Sequence, residues 1–375
     1  MIQIKKDDFR LQHAGFYNMY PIWNEVSPFG ISSLNQIKET SGDVVLIDDY
    51  YGRIFTPEIY QIANLYGKDE NMNYYIKGIN IDVVDTLRVP YRKIPIFEIT
   101  NFHHISALIK KIQLDNPDYE ILLRGQSKHH ELSRPEDEKF YLYGNKKVKE
   151  PSFLPSYLRS NFDEFFIQSM WTNQARILLN DFDYDCSTIL TENEYKKCLS
   201  EINHLKNSPY FIHFALGLAQ HYGMPSIGLD LTKTIEVATW FATNNINIDK
   251  NGCATTNPIL DFNESIIYIF RCPRISVFSY NVIRPEVFPI GRPDVQDAWF
   301  GHVGWGYAKN QLASYLMCGI KMKQEFLNEL PNNFDKKLFP DKAEDYFLDY
   351  FLKMKNKGTN EGNVQSVLNK IYALS

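Results

Sequence analysis

The sequence predicts an α+β protein with a substantial core, and its composition and local patterns carry this prediction. Apolar residues make up 44% of the 375 residues and aromatic residues 14%, which is typical of a packed globular chain. Residues 1–95 are rich in short apolar runs of strand length. Residues 161–206 and 308–375 have mostly helical patterns.

The individual elements follow from the same patterns. Strands are predicted at residues 43–48, 73–81, 120–124 and 265–271, where apolar residues cluster between turn residues. Helices are predicted within residues 96–114, 161–206, 211–222 and 236–242. Asn101 is the predicted N-cap of the first helix. Residues 250–264, which include Gly252 and Pro258, are predicted to form a loop.

The charge and the cysteines exclude several classes of protein. The net charge of −5 and the pI near 6.0 give no global field that would recruit nucleic acid, so such binding needs a local patch. The five cysteines are scattered without a C-x-x-C pair, which predicts neither a disulfide framework nor a zinc site. Neither a membrane-spanning run nor a signal-peptide pattern is found. We therefore expect a soluble cytoplasmic protein without a metal.

Two separated motifs carry the candidate chemistry. A short apolar run ends in Arg124-Gly125-Gln126, and Asp230 follows about a hundred residues later, inside a second strand-like run. A guanidinium presents five donors in a rigid fork, which suits a phosphate or a ribose hydroxyl. The alternative is structural, with Arg124 paired to a surface carboxylate and Asp230 capping the next helix. The spacing of several motifs together favours the binding role.

These motifs together resemble the FRG domain family, which is named for an aromatic or apolar residue followed by Arg-Gly. The resemblance covers roughly residues 95–350, and the block Gln220-His221-Tyr222-Gly223 is its most specific part. The matching segments are residues 123–126, 154–159, 219–225, 229–232, 238–242, 292–300 and 338–341. The chain departs from the family pattern at Leu231, where a tryptophan is usual, which predicts a less aromatic pocket wall.

The resemblance implies a domain organisation and a fold. It divides the chain into a strand-rich N-terminal extension at residues 1–95, an FRG-like domain at 96–350 and a C-terminal helical tail at 351–375. The motif order is similar to that of ADP-ribosyltransferases. It therefore implies their split β-sheet core, here with helical insertions and a C-terminal helical region.

The same resemblance implies NAD as a substrate, with no metal. The implied catalytic residues are Arg124, His221, Asp230 and Gln296. The implied NAD-binding residues are Arg124, Gly125, Gln126, Tyr222 and Thr232. Gln296 stands where a glutamate is usual, and an amide neither carries negative charge nor acts as a strong base. His221, Asp230 or the substrate would then supply proton transfer, although a structural role for His221 is equally open.

A basic and aromatic patch gives a candidate contact with nucleic acid. Residues 139–149 contain four lysines and three aromatic residues without an acidic residue. Lysines interleaved with rings can follow a phosphate backbone and stack unpaired bases. The predicted nucleic-acid-binding residues are Lys139, Tyr141, Tyr143, Lys146, Lys147 and Lys149. A solvated hairpin with the lysines on one face is the alternative.

Taken with the resemblance, these observations predict an enzyme that transfers ADP-ribose from NAD to a macromolecule. The acceptor is nucleic acid or protein, and the patch at residues 139–149 favours RNA or single-stranded DNA. Family analogy alone implies a toxin or phage-defence effector, with an antitoxin or chaperone as a partner. The alternatives are a non-catalytic module that binds a nucleotide or RNA, and an NAD glycohydrolase.

Overall fold

A large mixed β-sheet flanked by helices forms the body of the protein and confirms the predicted α+β class. The computed structural model describes residues 2–5, 44–48, 50–51, 53–55, 66, 81–159, 164–249, 252–302, 308–358 and 362–374. Within these ranges, no helix combines the length and the apolar character that crossing a membrane requires.

The strands and helices have the following bounds. The strands are β1 Ile2–Lys5, β2 Val44–Asp48, β3 Arg53–Phe55, β4 Val83–Val89, β5 Arg92–Glu98, β6 Tyr119–Gln126, β7 Gly228–Thr232, β8 Asn244–Ile248, β9 Cys253–Pro258, β10 Ile266–Pro273, β11 Val277–Ser279, β12 Ala298–His302, β13 Leu316–Lys321 and β14 Ala373–Leu374. The α-helices are α1 Phe102–Asp115, α2 Glu136–Tyr143, α3 Glu164–Ile189, α4 Glu192–Asn207, α5 Phe211–His221, α6 Ile235–Thr243, α7 Tyr280–Ile283, α8 Arg292–Val295, α9 Phe334–Leu338, α10 Tyr346–Lys357 and α11 Gly362–Leu368. Short 3₁₀ turns lie at Ser156–Arg159, Arg274–Ser276, Gln311–Tyr315 and Gln324–Glu329.

The main sheet has eight strands in the order β11-β12-β7-β6-β10-β13-β5-β4. Its strand pairs are antiparallel except for β13 and β5, which are parallel. The hairpin of β4 and β5 therefore belongs to this sheet, and β5 extends across the predicted boundary at residue 95. The short strands β1 to β3 form a separate sheet, and β14, β9 and β8 form a third.

Several predicted elements are confirmed at close to their predicted bounds. Strands β2, β6 and β10 and helices α1, α5 and α6 lie where the patterns indicate, and the Asn101 side chain accepts a hydrogen bond from the backbone N–H of His104 as the N-cap of α1. The single helical segment predicted at 161–206 is two helices, because Thr191 and Glu194 form a capping box that begins α4. Apart from Ile81, the predicted strand at 73–81 lies outside the described residues.

One prediction about the C-terminal half is confirmed and another is wrong. The described residues of the region 308–375 are mostly helical, but β13 also lies in this region and runs through the main sheet between β10 and β5. Its residues are buried on both faces of the sheet, so they lack the alternation that identifies a half-exposed strand. The predicted loop at 250–264 contains β9, which pairs with β8 over five residues in an antiparallel ribbon.

Different segments pack against the two faces of the main sheet, and the site lies between them. Helices α1 and α6 cover one face, where Leu123 and Ile269 are buried. The other face is covered by residues of the 132–154 segment and by the 3₁₀ turn at Gln311–Tyr315, and Tyr268 is buried there. A helical layer of α3, α4, α5, α10 and α11 forms a further apolar core.

Candidate functional site

The candidate site lies where two neighbouring strands of the main sheet diverge. Strand β6 pairs with β10 at every position from Tyr119 to Gln126. It pairs with β7 only once, at Leu123 and Thr232. Beyond that position the strands separate, and the Arg124 side chain occupies the gap, where its Nη1 donates to the backbone oxygen of Asp230 at 2.6 Å. The expected surface carboxylate is therefore not the partner of Arg124.

A cavity of about 110 Å³ opens at this gap. It is lined by Leu123, Arg124, Gly125, His221, Asp230, Leu231, Thr232, Val237, Ala238, Phe241, Gln296 and Ala298. All four predicted catalytic residues and three of the five predicted NAD-binding residues, Arg124, Gly125 and Thr232, thus meet in one place. Two larger clefts, of about 1050 and 1350 Å³, are lined by none of the predicted catalytic residues.

The Arg124 guanidinium is desolvated but charged. Burial lowers its pKa from the ordinary value, and the neighbouring Asp230 opposes this effect while Arg159 adds to it. Its Nε is buried and has no hydrogen-bond partner within the described ranges. A buried guanidinium with an unused donor is costly unless a further acceptor binds it, so Arg124 is suited to hold an anionic or hydroxyl-bearing ligand.

Asp230 supplies the negative charge of the cavity. It is the only carboxylate among the described residues that line it, and its side chain is 40% exposed. The Nε2 of His221, at the end of α5, lies 3.3 Å from Asp230 Oδ1, and the His221 side chain is 3% exposed. Asp230 does not cap the next helix, because Thr234 is the N-cap residue of α6. His221 is therefore placed to orient the Asp230 carboxylate.

Gln296 and Thr232 line the cavity, and the side chain of each donates a hydrogen bond to a backbone oxygen. The side-chain Nε2 of Gln296 donates to the backbone oxygen of Leu338 at 3.0 Å. Thr232 Oγ1 donates to the backbone oxygen of Gln296 at 3.0 Å, which connects the end of β7 to the segment after α8. Gln296 is only 5% exposed. Its amide group therefore serves first to hold the Leu338 turn against the cavity.

Two of the predicted NAD-binding residues do not line the cavity. Tyr222 is fully buried, and its hydroxyl donates to the Asp345 carboxylate at 2.8 Å. Its ring also contacts the buried Arg292 guanidinium, 4.9 Å from the ring centroid. Gln126, at the end of β6, is partly buried and lies outside the cavity lining. Tyr222 therefore acts as a structural residue behind the site.

Gly125 has a packing role in addition to lining the cavity. A Cβ atom at this position would lie 1.7 Å from the backbone oxygen of Ala238 in α6. Only a glycine lets β6 approach the helix so closely.

Substituting Gly125 with alanine is expected to lower the free energy of unfolding by at least ~1–3 kcal/mol, because α6 must move away from β6. Gly217→Ala is the matched control, since its Cβ would meet Phe300 at an ordinary 3.6 Å inside helix α5. That control is expected to be neutral or stabilising by up to about 1 kcal/mol. Urea unfolding of both variants measures the difference, and equal stabilities would contradict the packing role of Gly125.

The predicted nucleic-acid-binding patch at residues 139–149 does not form a surface of unpaired lysines. Most of its residues belong to helix α2 and the turn after it, instead of a hairpin. Three of the four lysines have acidic partners from outside the patch: Lys139 with Glu131, Lys146 with Asp137 and Lys149 with Asp85. Tyr143 is buried and bonded to Glu150, so it is not accessible for base stacking. Tyr141 and Lys147 remain exposed.

Two basic residues near the site were not among the predicted site residues. Arg159 and His130 both interact electrostatically with Arg124; His130 follows it closely in the sequence, whereas Arg159 lies in a later segment. Arg159 ends a segment that the FRG resemblance already includes, so that motif was the available signal. His130 has no motif of its own, and its position soon after Arg124 was the only available signal.

The comparisons with known proteins support the FRG resemblance over part of the chain. A family model of the FRG domain matches residues 141–251. The predicted FRG resemblance is thus confirmed over this segment, which contains Arg159, His221 and Asp230, whereas Arg124 and Gln296 lie outside it. No curated protein and no solved structure matches the chain.

Proposed function

We propose that the protein is an NAD-dependent ADP-ribosyltransferase that modifies a macromolecule. The observation that supports this proposal most is the meeting of Arg124, Asp230 and Gln296 in one cavity, at a gap in the main sheet. A split in the sheet and an arginine on a core strand are both features that the resemblance implies. The resemblance also carries the proposal of a toxin or phage-defence effector, with an antitoxin or chaperone as its partner.

The size of the cavity limits which part of NAD enters it. A cavity of ~150 Å³ accepts one benzene ring, so a cavity of about 110 Å³ holds one small ring or sugar and no more. The nicotinamide ring of NAD fits this description, and its ribose and the rest of the dinucleotide would lie at and beyond the opening. In this arrangement the glycosidic bond to be broken would lie beside Asp230, which lines the cavity.

The residues of the cavity suit cleavage of the glycosidic bond. When this bond breaks, nicotinamide leaves with the electron pair and positive charge develops on the ribose. The Asp230 carboxylate would stabilise that charge, and His221 would hold the carboxylate in position. The acceptor then bonds to the ribose carbon and releases a proton to Asp230 or His221. Asp230 would thus supply the negative charge that Gln296 lacks.

The acceptor remains a nucleic acid or a protein in this proposal. The patch at residues 139–149 adds little support for nucleic acid, because surface ion pairs neutralise three of its lysines. RNA and protein are therefore tested side by side.

Incubating the protein with NAD labelled in the adenosine half, with total RNA and with cell lysate tests the proposal. We expect label on one macromolecular fraction, and a loss of transfer on the order of a hundredfold in Arg124→Ala, because the ligand loses its charged anchor. Arg274→Ala is the control, since this exposed arginine lies in the 3₁₀ turn that follows β10 and does not line the cavity. Unchanged transfer by Arg124→Ala would contradict the site.

A non-catalytic binding module is the second candidate, and one observation favours it. Gln296 is neutral and its amide is bonded to Leu338, so the usual glutamate is replaced by a structural group. Tight NAD binding without release of nicotinamide would support this module. Release of free ADP-ribose without labelled acceptor would instead identify an NAD glycohydrolase.

A further inference from the structure

Arg159 and His130 lie on opposite sides of the open end of the gap between β6 and β7. The gap is closed where Leu123 pairs with Thr232, so it opens toward the end of β6 and the start of β7. The turn at Ser156–Arg159 is attached just before β7, because Ser226 donates its backbone N–H to Ser156 Oγ at 2.9 Å. His130 follows the end of β6, and its backbone oxygen accepts from Ser152 N–H at 2.8 Å.

The segment that carries Arg159 crosses the sheet face from which Arg124 emerges. Arg124 and Tyr268 are directly paired in the sheet, so their side chains lie on the same face. The ring of Phe153 packs edge-on against Tyr268, with 4.8 Å between the centroids. Arg159 follows Phe153 by only six residues, which keeps it close to this face.

The basic residues at this opening have few negative partners among the described residues. Arg159 is exposed, and within the described ranges its side chain has neither a hydrogen bond nor an ion pair. Burial lowers the pKa of His130, and Arg159, Lys128 and Arg124 lower it further, whereas Glu264 opposes them. Glu264 is itself engaged with Lys128, at 3.3 Å. A bound anion would relieve the repulsion among these groups.

We propose that Arg159 and His130 form, together with Arg124, a subsite for the diphosphate of a nucleotide ligand. The identity of that ligand rests on the proposed function, because the nicotinamide ring then lies in the cavity and its ribose lies at the opening, next to the diphosphate. Two guanidinium groups match a diphosphate well, since each can bond two oxygens at once. The subsite lies at the opening, where the remainder of a ligand too long for the cavity must pass.

The subsite has a pH dependence with a defined direction. In the free protein the pKa of His130 is below its ordinary value, so the imidazole is neutral at pH 7. A bound diphosphate favours the charged imidazole and raises that pKa, so binding takes up a proton. Affinity for a diphosphate ligand is therefore expected to increase as the pH falls from 8 to 5.5, and His130→Gln is expected to abolish most of this increase.

Calorimetric titration with ADP-ribose and with nicotinamide riboside, which lacks a phosphate, tests the subsite. We expect Arg159→Gln to weaken ADP-ribose binding about tenfold, the effect of one lost charge-assisted hydrogen bond, and to leave nicotinamide riboside binding unchanged. Lys110→Gln is the control, because this exposed lysine lies on α1, which covers the opposite face of the sheet. It is expected to bind both ligands like the unmodified protein.

The outcomes separate this subsite from the proposed function. The subsite is overturned if ADP-ribose does not bind, if Arg159→Gln and His130→Gln bind it unchanged, or if they lose only affinity for a single-stranded RNA oligonucleotide. Phosphate-dependent binding of ADP-ribose without any turnover of NAD would support the subsite and reject the transferase. Turnover of NAD that is insensitive to both substitutions would reject the subsite and keep the transferase.

Discussion

Replacing Arg134 with alanine is expected to lower the free energy of unfolding by about 3–5 kcal/mol, because it leaves two buried carboxylates without their cation. The side chains of Arg134, Asp48 and Glu150 are completely buried. Arg134 Nη2 donates to Asp48 at 2.8 Å and its Nε donates to Glu150 at 2.7 Å. Thermal and urea unfolding measure the loss directly.

The electrostatics of this cluster explain the size of the effect. Burial opposes the charge on Arg134, but Asp48 and Glu150 outweigh burial and raise the pKa of the guanidinium above its ordinary value. The hydroxyls of Tyr66 and Tyr143 donate to the two carboxylates. The cluster therefore connects β2, in the N-terminal part, to residues just before and at the start of the FRG match.

Glu150→Gln provides a matched comparison inside the same cluster. It is expected to cost far less than Arg134→Ala, because Asp48 still balances the arginine and the amide oxygen still accepts from it. Arg274→Ala, which removes an exposed pair with Glu120, is expected to cost less than about 1 kcal/mol. If Arg134→Ala were as mild as either variant, the cluster would not hold the N-terminal part in place.

The sequence indicated which residues meet at the cavity, but not the partners that hold some of them there. Arg124, His221 and Asp230 belong to local motifs at the ends of recognisable strands and helices, so their convergence follows once those elements pack. Gln296 was also placed correctly at the cavity, but its bond to Leu338 depends on a residue far along the chain. A motif shows which residues recur, and it does not show which backbone group a side chain will reach.

Local sequence patterns could not predict which charged residues pair with each other. The lysines of residues 139–149 find acids on neighbouring segments, so a stretch without acidic residues is not a basic surface. Arg134 is the opposite case. It stands in a polar loop sequence, yet it is buried and hydrogen-bonded to Asp48, which lies 86 positions away. The Arg134–Asp48 pair is a long-range contact that forms only when β2 lies beside Arg134. The pairs of Lys139 and Lys146 join residues closer in the sequence, but they depend on how α2 and its flanking segments fold.

Substituting Asp230 with asparagine is expected to reduce NAD turnover about a thousandfold, if the protein is the proposed transferase. Asparagine keeps the size of the side chain but removes the only negative charge among the described residues lining the cavity. Positive charge on the ribose would then develop without an anion beside it. Because this charge appears only in the transition state, NAD affinity is expected to change little. Single-turnover release of nicotinamide and calorimetric NAD binding measure the two quantities.

Asp297→Asn, at the position after Gln296, is the matched control for the Asp230→Asn experiment. Asp297 has a positive φ of 43°, which asparagine tolerates, and it does not line the cavity. It is expected to retain nearly full turnover and the same thermal stability. Equal turnover by Asp230→Asn and the unmodified protein would show that another group stabilises the ribose, whereas a loss of NAD affinity with unchanged turnover would assign Asp230 to ground-state binding.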